Sequence, residues 1–142
     1  MVNRFRKALL CTSLVFMCAA MLQAADRGRG IELYENRKYT EAASELRGFL
    51  EENPDDAPAH YYLALALIHT KDYEEARKHL AAAEERRGEG DPRLDQIRAA
   101  QSQLEADLKN YDEARRLAGE ALKIKDDSPE AHFALGYLAV QQ

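Results

Sequence analysis

Apolar residues recur along most of this chain at spacings of three, four and seven, and short polar stretches separate the recurring groups. Leu46, Phe49 and Leu50 form one such group, and Leu80 and Ala83 form another. Since an α-helix has 3.6 residues per turn, residues at these spacings lie on one helical face. The alternation that is typical of strands is not convincing anywhere in the sequence. The pattern predicts an all-α protein.

A tyrosine follows each of three polar breaks and opens a phrase that recurs along the chain. The phrase reads Tyr39-Thr40-Glu41-Ala42, then Tyr73-Glu74-Glu75-Ala76, then Tyr111-Asp112-Glu113-Ala114, with starts 34 and 38 residues apart. Each tyrosine is predicted to begin a helix just after a turn, and the alanine three residues later allows close approach of an antiparallel helix. A period of this length indicates stacked helical hairpins, each of which buries its apolar face against its neighbours.

Residues 58–67 and 129–139 are the clearest first helices of such hairpins. Both open with proline, which the first position of a helix tolerates because the N–H group there has no intrahelical partner. Ser128 precedes the second of these prolines and is a favourable helix cap. Ala64 and Gly136 hold equivalent positions in the two segments, where a small residue suits close packing of helices.

These features resemble the tetratricopeptide repeat family, whose 34-residue unit is a pair of antiparallel helices. The unit at about 57–90 carries the resemblance most fully. Its matching positions are Leu63, Ala64, Leu67, Tyr73, Ala76, Leu80 and Ala83. The resemblance implies a right-handed helix–turn–helix solenoid over residues 25–142, with about three repeats and a final single helix.

The other units depart from the family pattern in specific places. The first, about 23–56, has Arg29 where the family has leucine, so its first helix is expected to be poorly formed. The third, about 91–128, carries four extra residues, which correspond to about one helical turn. We therefore expect a first helix lengthened to roughly Pro92–Lys109. The fourth unit, 129–142, contains only a first helix.

Residues 1–24 are predicted to be a signal peptide. Three basic residues precede an apolar run over residues 8–22, and Ala24 provides a small residue before a cleavage site. The run is shorter than the ~20 residues that a spanning helix needs. Cys11 and Cys18 both lie in this leader, so the rest of the chain has no thiol and tolerates an oxidising compartment. We expect export to a periplasm or cell envelope, with membrane anchoring by residues 8–22 as the alternative.

Charge and motifs argue against several functions. The net charge is −5, and the basic residues of the leader precede all of the acidic ones. Binding of nucleic acid requires clustered cations, which the sequence does not offer. His60 and His132 occupy equivalent positions two repeats apart, too far to share a metal ion, and His69 and His79 have no His or Cys partner at ligand spacing. No nucleophile elbow or phosphate-binding loop is present. The sequence predicts no enzyme activity, cofactor or metal site.

The resemblance implies that first helices line a concave groove where a partner binds. The residues carried over to this groove are Tyr34, Tyr61, Tyr62, Leu65, Ile68, His69, Gln96, Ala99, Phe133 and Tyr137. Alternatively, some of these rings only cover the core between repeats. Family members that grip a C-terminal carboxylate use Lys, Arg and Asn at fixed groove positions, and those residues are missing here. An apolar helix or an extended peptide should therefore fit better than an acidic tail.

The resulting expectation is a non-enzymatic adaptor or scaffold that binds a protein or peptide whose identity the sequence leaves open. Replacement of both Tyr61 and Tyr137 by alanine should then abolish binding without loss of stability. The alternative is a homo-oligomer in which Leu135, Leu138 and Val140 of the last helix pair with a second copy.

Overall fold

The computed structural model describes residues 27–88 and 94–141, which contain seven helices and no strand. The predicted leader lies outside these residues. The described part of α1 is 27–35. The other helices are α2 Tyr39–Glu52, α3 Ala57–Thr70, α4 Tyr73–Arg86, α5 Leu94–Asp107, α6 Tyr111–Ile124 and α7 Pro129–Gln141. Within the same residues, no helix is both long and apolar enough to cross a membrane.

The helices stack in chain order as hairpins. α3 packs against α2 and α4, α5 packs against α4 and α6, and α7 packs against both α5 and α6. The largest fully buried apolar side chains follow this stack from α2 to α5: Leu46, Leu63, Leu67, Leu80, Ile97 and Leu104. Toward α7 the core instead consists mainly of alanines, which bring α5, α6 and α7 close together. The predicted right-handed helix–turn–helix solenoid is confirmed.

The turn inside each hairpin has the same backbone conformation three times. Arg37, Lys71 and Lys109 each lie two residues before a repeat tyrosine and have φ values of 61°, 67° and 65°. The N–H group of the following residue returns to a carbonyl five positions earlier, as from Asp72 to Leu67 at 2.9 Å. This closure ends the preceding helix. It explains why α5 ends at Asp107, two residues before its predicted end, whereas its predicted start at Pro92 lies outside the described residues.

The first repeat is better formed than its sequence suggested. Residues 27–35 are helical, and Gly30 is buried against Leu46 of α2. Arg29, which replaces the family's leucine, lies on the exposed side and forms a 3.5 Å ion pair with Glu45. The expectation of a poorly formed helix was therefore wrong for the described residues, because Gly30 and Leu33 pack against the core while Arg29 is exposed.

Candidate functional site

A groove of about 420 Å³ opens between α3, α5 and α7. Its lining comes from the first helices of all four repeats. Residues spaced three or four apart on each helix face it, because such residues share one side of a helix. The lining consists of Tyr34, Tyr61, Leu65, His69, Gln96, Ala99, Ala100, Gln103, Pro129, Glu130, Phe133 and Ala134.

Tyr34, Tyr61 and His69 line one side of the groove. Together with Tyr39 and Tyr62 they form an aromatic cluster. Tyr34 is central, with its ring 5.7 Å from the rings of both Tyr39 and Tyr62. The imidazole of His69 stacks on the Tyr39 ring at 4.0 Å. Burial is the main cause that raises the pKa of Tyr34 to about 12, and burial also raises the pKa of Tyr61. The phenols are therefore uncharged at neutral pH and present hydrogen-bonding tips on apolar rings.

The opposite side is formed by α7, where Phe133 has 64% of its surface exposed. The ring of Tyr137 lies nearly parallel to that of Phe133, with centroids 6.5 Å apart. The Tyr137 hydroxyl donates a hydrogen bond to Asp107 of α5, and this bond is the main cause that raises the pKa of Tyr137 to about 12. Asp107 thereby holds the ring that supports Phe133.

The α5 segment between these two sides carries small and uncharged residues. Ala99 and Ala100 leave space between the rings, and Gln96 and Gln103 add amide groups. The Gln96 amide donates a 2.9 Å hydrogen bond to the Glu130 carboxylate of α7. Burial lowers the pKa of His69, so its imidazole is mostly neutral at neutral pH. Among the lining residues that the structure describes, Glu130 is thus the one with a charged side chain at neutral pH.

Seven of the ten residues predicted for the groove line it: Tyr34, Tyr61, Leu65, His69, Gln96, Ala99 and Phe133. Tyr62 and Tyr137 do not line the groove, and their rings pack against the lining rings of Tyr61 and Phe133. Ile68 is 3% exposed and packs in the core, so its assignment to the groove was wrong. The sequence interpretation missed four lining residues, Ala100, Pro129, Glu130 and Ala134, of which Pro129 and Glu130 lie at the start of α7. These two precede Phe133 by four and three residues, and helical periodicity would have found them.

Tyr61 also differs from its sequence interpretation. Its ring lines the groove but is only 8% exposed and belongs to the hydrophobic core. Removal of a buried aromatic ring leaves a cavity and destabilises the fold. We therefore expect the double replacement of Tyr61 and Tyr137 by alanine to lower stability as well as binding, so Phe133 is the better position at which to test binding.

A pair of histidines lies outside the groove, and sequence spacing did not reveal it. The Nδ1 atoms of His60 on α3 and His79 on α4 are 2.8 Å apart, so His79 does have a histidine partner in space. The Nε2 atom of His60 lies 2.8 Å from the carbonyl oxygen of Pro54. Over the described ranges, no group of three or more His, Cys, Asp or Glu side chains is arranged to hold a metal ion.

Comparison with known proteins agrees with this architecture. Residues 27–92 match a protein family described as tetratricopeptide repeat. The TPR domain of Arabidopsis OM64 has a similar fold, with a TM-score of 0.69 and 16% identity over 82% of this chain and 93% of that one. The second TPR domain of human RPAP3, in complex with the HSP70 peptide SGPTIEEVD, has a TM-score of 0.68 and 20% identity, over 83% of this chain and 96% of that one.

The first TPR of Spaghetti (RPAP3), bound to the HSP90 peptide SRMEEVD, is similar to the same degree. Its TM-score is 0.68, with 15% identity over 82% of this chain and 90% of that chain. A search among curated proteins found no match. Residues 27–92, a little under half of the chain, thus match the tetratricopeptide repeat family, and the three solved domains share the fold over most of the chain's length.

Proposed function

We propose that this protein is a non-catalytic adaptor or scaffold that binds a segment of a partner polypeptide in the groove between α3, α5 and α7. The observation that carries the proposal is the exposed Phe133 ring, which faces an aromatic cluster across the small residues of α5. Aromatic anchors in a preformed groove provide large contact area at a low cost in conformational entropy. An extended or helical segment with apolar residues suits this lining.

The similar domains of RPAP3 support a peptide as the kind of ligand, since their structures were determined with HSP70 and HSP90 peptides. Both of those peptides end in the acidic sequence EEVD. The groove described above has no lysine or arginine among its described lining residues. We therefore propose a peptide ligand of a different chemical class.

Phe133→Ala is expected to weaken peptide binding about tenfold, because truncation of an aromatic anchor commonly costs more than 1 kcal/mol of binding free energy. Thermal stability should change little, since the ring is largely exposed. Ligands would be selected from a phage library of random dodecapeptides on the immobilised full chain. Fluorescence anisotropy would then give the affinity of a labelled, selected peptide.

Val140→Ala is the matched control, because Val140 lies on the same helix, is 85% exposed and does not line the groove. This variant should bind the selected peptide as tightly as the parent chain does. Equal affinities of the Phe133→Ala variant and the parent would overturn the proposed binding surface.

Self-association through α7 has less support than the sequence suggested. Leu138 is buried against Ala106 and Ala114, and Leu135 is partly buried in the same region. Of the three residues expected to form the apolar face, Val140 alone is exposed. Contacts within the chain thus occupy most of that face.

We further propose that the protein acts in the cell envelope after removal of residues 1–24. The support is the leader pattern of basic residues, apolar run and small residue before the cleavage site. Expression of the full chain in a bacterium, followed by fractionation and mass measurement, tests this proposal. A cytoplasmic protein that retains its leader would contradict it.

A further inference from the structure

We infer that the groove recognises a cationic side chain, arginine or lysine, on the partner segment. This inference rests on the proposed function and specifies the chemistry of its ligand. It is carried by two features of the groove that occur together: aromatic rings on both sides and a carboxylate at the α7 edge.

The geometry provides what a long cationic side chain requires. Tyr34 and Tyr61 lie on one side and Phe133 lies on the other, with Ala99 between them. Arginine and lysine bind favourably over aromatic faces, and their aliphatic stems pack against apolar surface. The Glu130 carboxylate lines the same space and can accept hydrogen bonds from a guanidinium or ammonium group.

Charges around the groove favour the same sign of ligand. Besides Glu130, the carboxyl groups of Asp95 and Glu35 lie close enough to the aromatic cluster to raise the pKa values of Tyr61 and Tyr62. Asp107 acts on His69 from the other end, where Arg37 opposes it. Four carboxyl groups thus act on the cluster, whereas Arg37 and Lys38 lie at its Tyr39 and His69 end and do not line the groove. A cationic side chain beside Glu130 is therefore attracted, and an acidic peptide end there is repelled.

The test begins with the random dodecapeptide phage library selected on the full chain. The expected result is enrichment of peptides in which arginine or lysine neighbours an apolar residue. Enrichment of apolar peptides without a cation, or of acidic peptides, overturns this inference but leaves the proposed function standing. The absence of any enriched peptide overturns both.

A selected peptide would then be measured in two labelled forms, one with its cationic residue and one with glutamine there. The neutral form is expected to bind about tenfold more weakly to the parent chain. Glu130→Gln should weaken binding of the cationic form about three- to tenfold and leave the neutral form unaffected. Equal losses for both peptides, or no loss for either, would contradict a charge contact at Glu130.

Two further variants complete the design. Glu41→Gln removes an exposed carboxylate on α2 that does not line the groove, and it should bind both peptides as the parent does. Gln103→Lys places a cation inside the groove and should abolish the preference for the cationic peptide. This variant tests the inference independently of any loss of stability in Glu130→Gln. Retention of that preference in Gln103→Lys would overturn the inference. Higher salt should weaken the cationic peptide more than the neutral one.

Discussion

Gly30→Ala is expected to lower the free energy of unfolding by about 1–2 kcal/mol, although alanine is the better helix former. A Cβ atom at Gly30 would lie 2.6 Å from Cγ and 2.7 Å from Cδ2 of Leu46, far inside normal contact distance. Leu46 is fully buried, and side chains in a close-packed core have little room to move. Urea denaturation followed by circular dichroism would measure the loss.

Gly136→Ala provides a control at the equivalent repeat position. A Cβ atom at Gly136 would have no neighbour within 4 Å, so alanine gains its helical preference without a clash. This variant is expected to be more stable than the parent by up to about 1 kcal/mol. If both variants changed the free energy of unfolding in the same direction, the close contact between Gly30 and Leu46 would not be the cause of the change in Gly30→Ala.

The contrast between these two glycines shows what repeat register can and cannot predict. Register correctly placed Ala64 and Gly136 at one position of the repeat, and Gly30 occupies it as well. The inference that a small residue is needed there holds for Gly30, where Leu46 packs against it. It fails for Gly136, because no described second helix packs against α7 at that point. Neighbours, and not the position itself, determine the steric requirement.

The same limit applies to the groove. Helical periodicity predicted the face of α3 that carries Tyr61 and Leu65, but His69 and Ile68 lie eight and seven residues after Tyr61, and both spacings fit one face. Only the rotation of α3 against α4 and α5 decides that His69 lines the groove and Ile68 is buried. Local pattern therefore predicted the helices well and the lining only in part.

The pairing of His60 with His79 depends on tertiary structure in the same way. The two residues are 19 positions apart, on antiparallel helices joined by the turn at Lys71. Comparison of equivalent repeat positions could not find them, because they belong to the two different helices of one hairpin. Their contact is set by the helix lengths and by the register of the hairpin.

This pair belongs to a histidine network of Arg47, Glu75, His79, His60 and the carbonyl group of Pro54, which links α2, α3 and α4. The Arg47 guanidinium donates two 2.8 Å hydrogen bonds to Glu75, and Glu75 lies 3.6 Å from Nε2 of His79. A carbonyl oxygen only accepts, so His60 donates from Nε2 to Pro54 and its Nδ1 accepts from Nδ1–H of His79. One proton therefore lies between the two rings, and a second cannot be placed there.

His79→Ala is expected to lower the free energy of unfolding by about 1–3 kcal/mol at pH 7.5, because it leaves Nδ1 of His60 without its donor. His79→Asn retains an N–H donor in the side chain and should lose less. Lys78→Asn, at the neighbouring exposed position, controls for the helix propensity of asparagine. Urea denaturation of the three variants would compare them. If His79→Ala matched Lys78→Asn in stability, the pair would not contribute to the fold.

Acidification should reveal the same contact through its pH dependence. Burial, followed by the proximity of His60, lowers the pKa of His79 below its usual value near 6.5, and Glu75 opposes this shift only in part. The unfolded chain then binds a proton near pH 6.5 that the folded chain resists, so stability is complete above that pH and falls as the pH decreases below it.

In His79→Asn this group no longer titrates, and the decrease in stability between pH 7.5 and 5.5 should be shallower than in the parent. His69, whose pKa is also lowered, contributes equally to both chains and cancels in the comparison. Glu75 remains ionised throughout this range, because Arg47 holds its pKa below the usual value. Identical slopes for the parent and His79→Asn would mean that His79 protonates as readily in the folded chain as in the unfolded one, contrary to the buried pair.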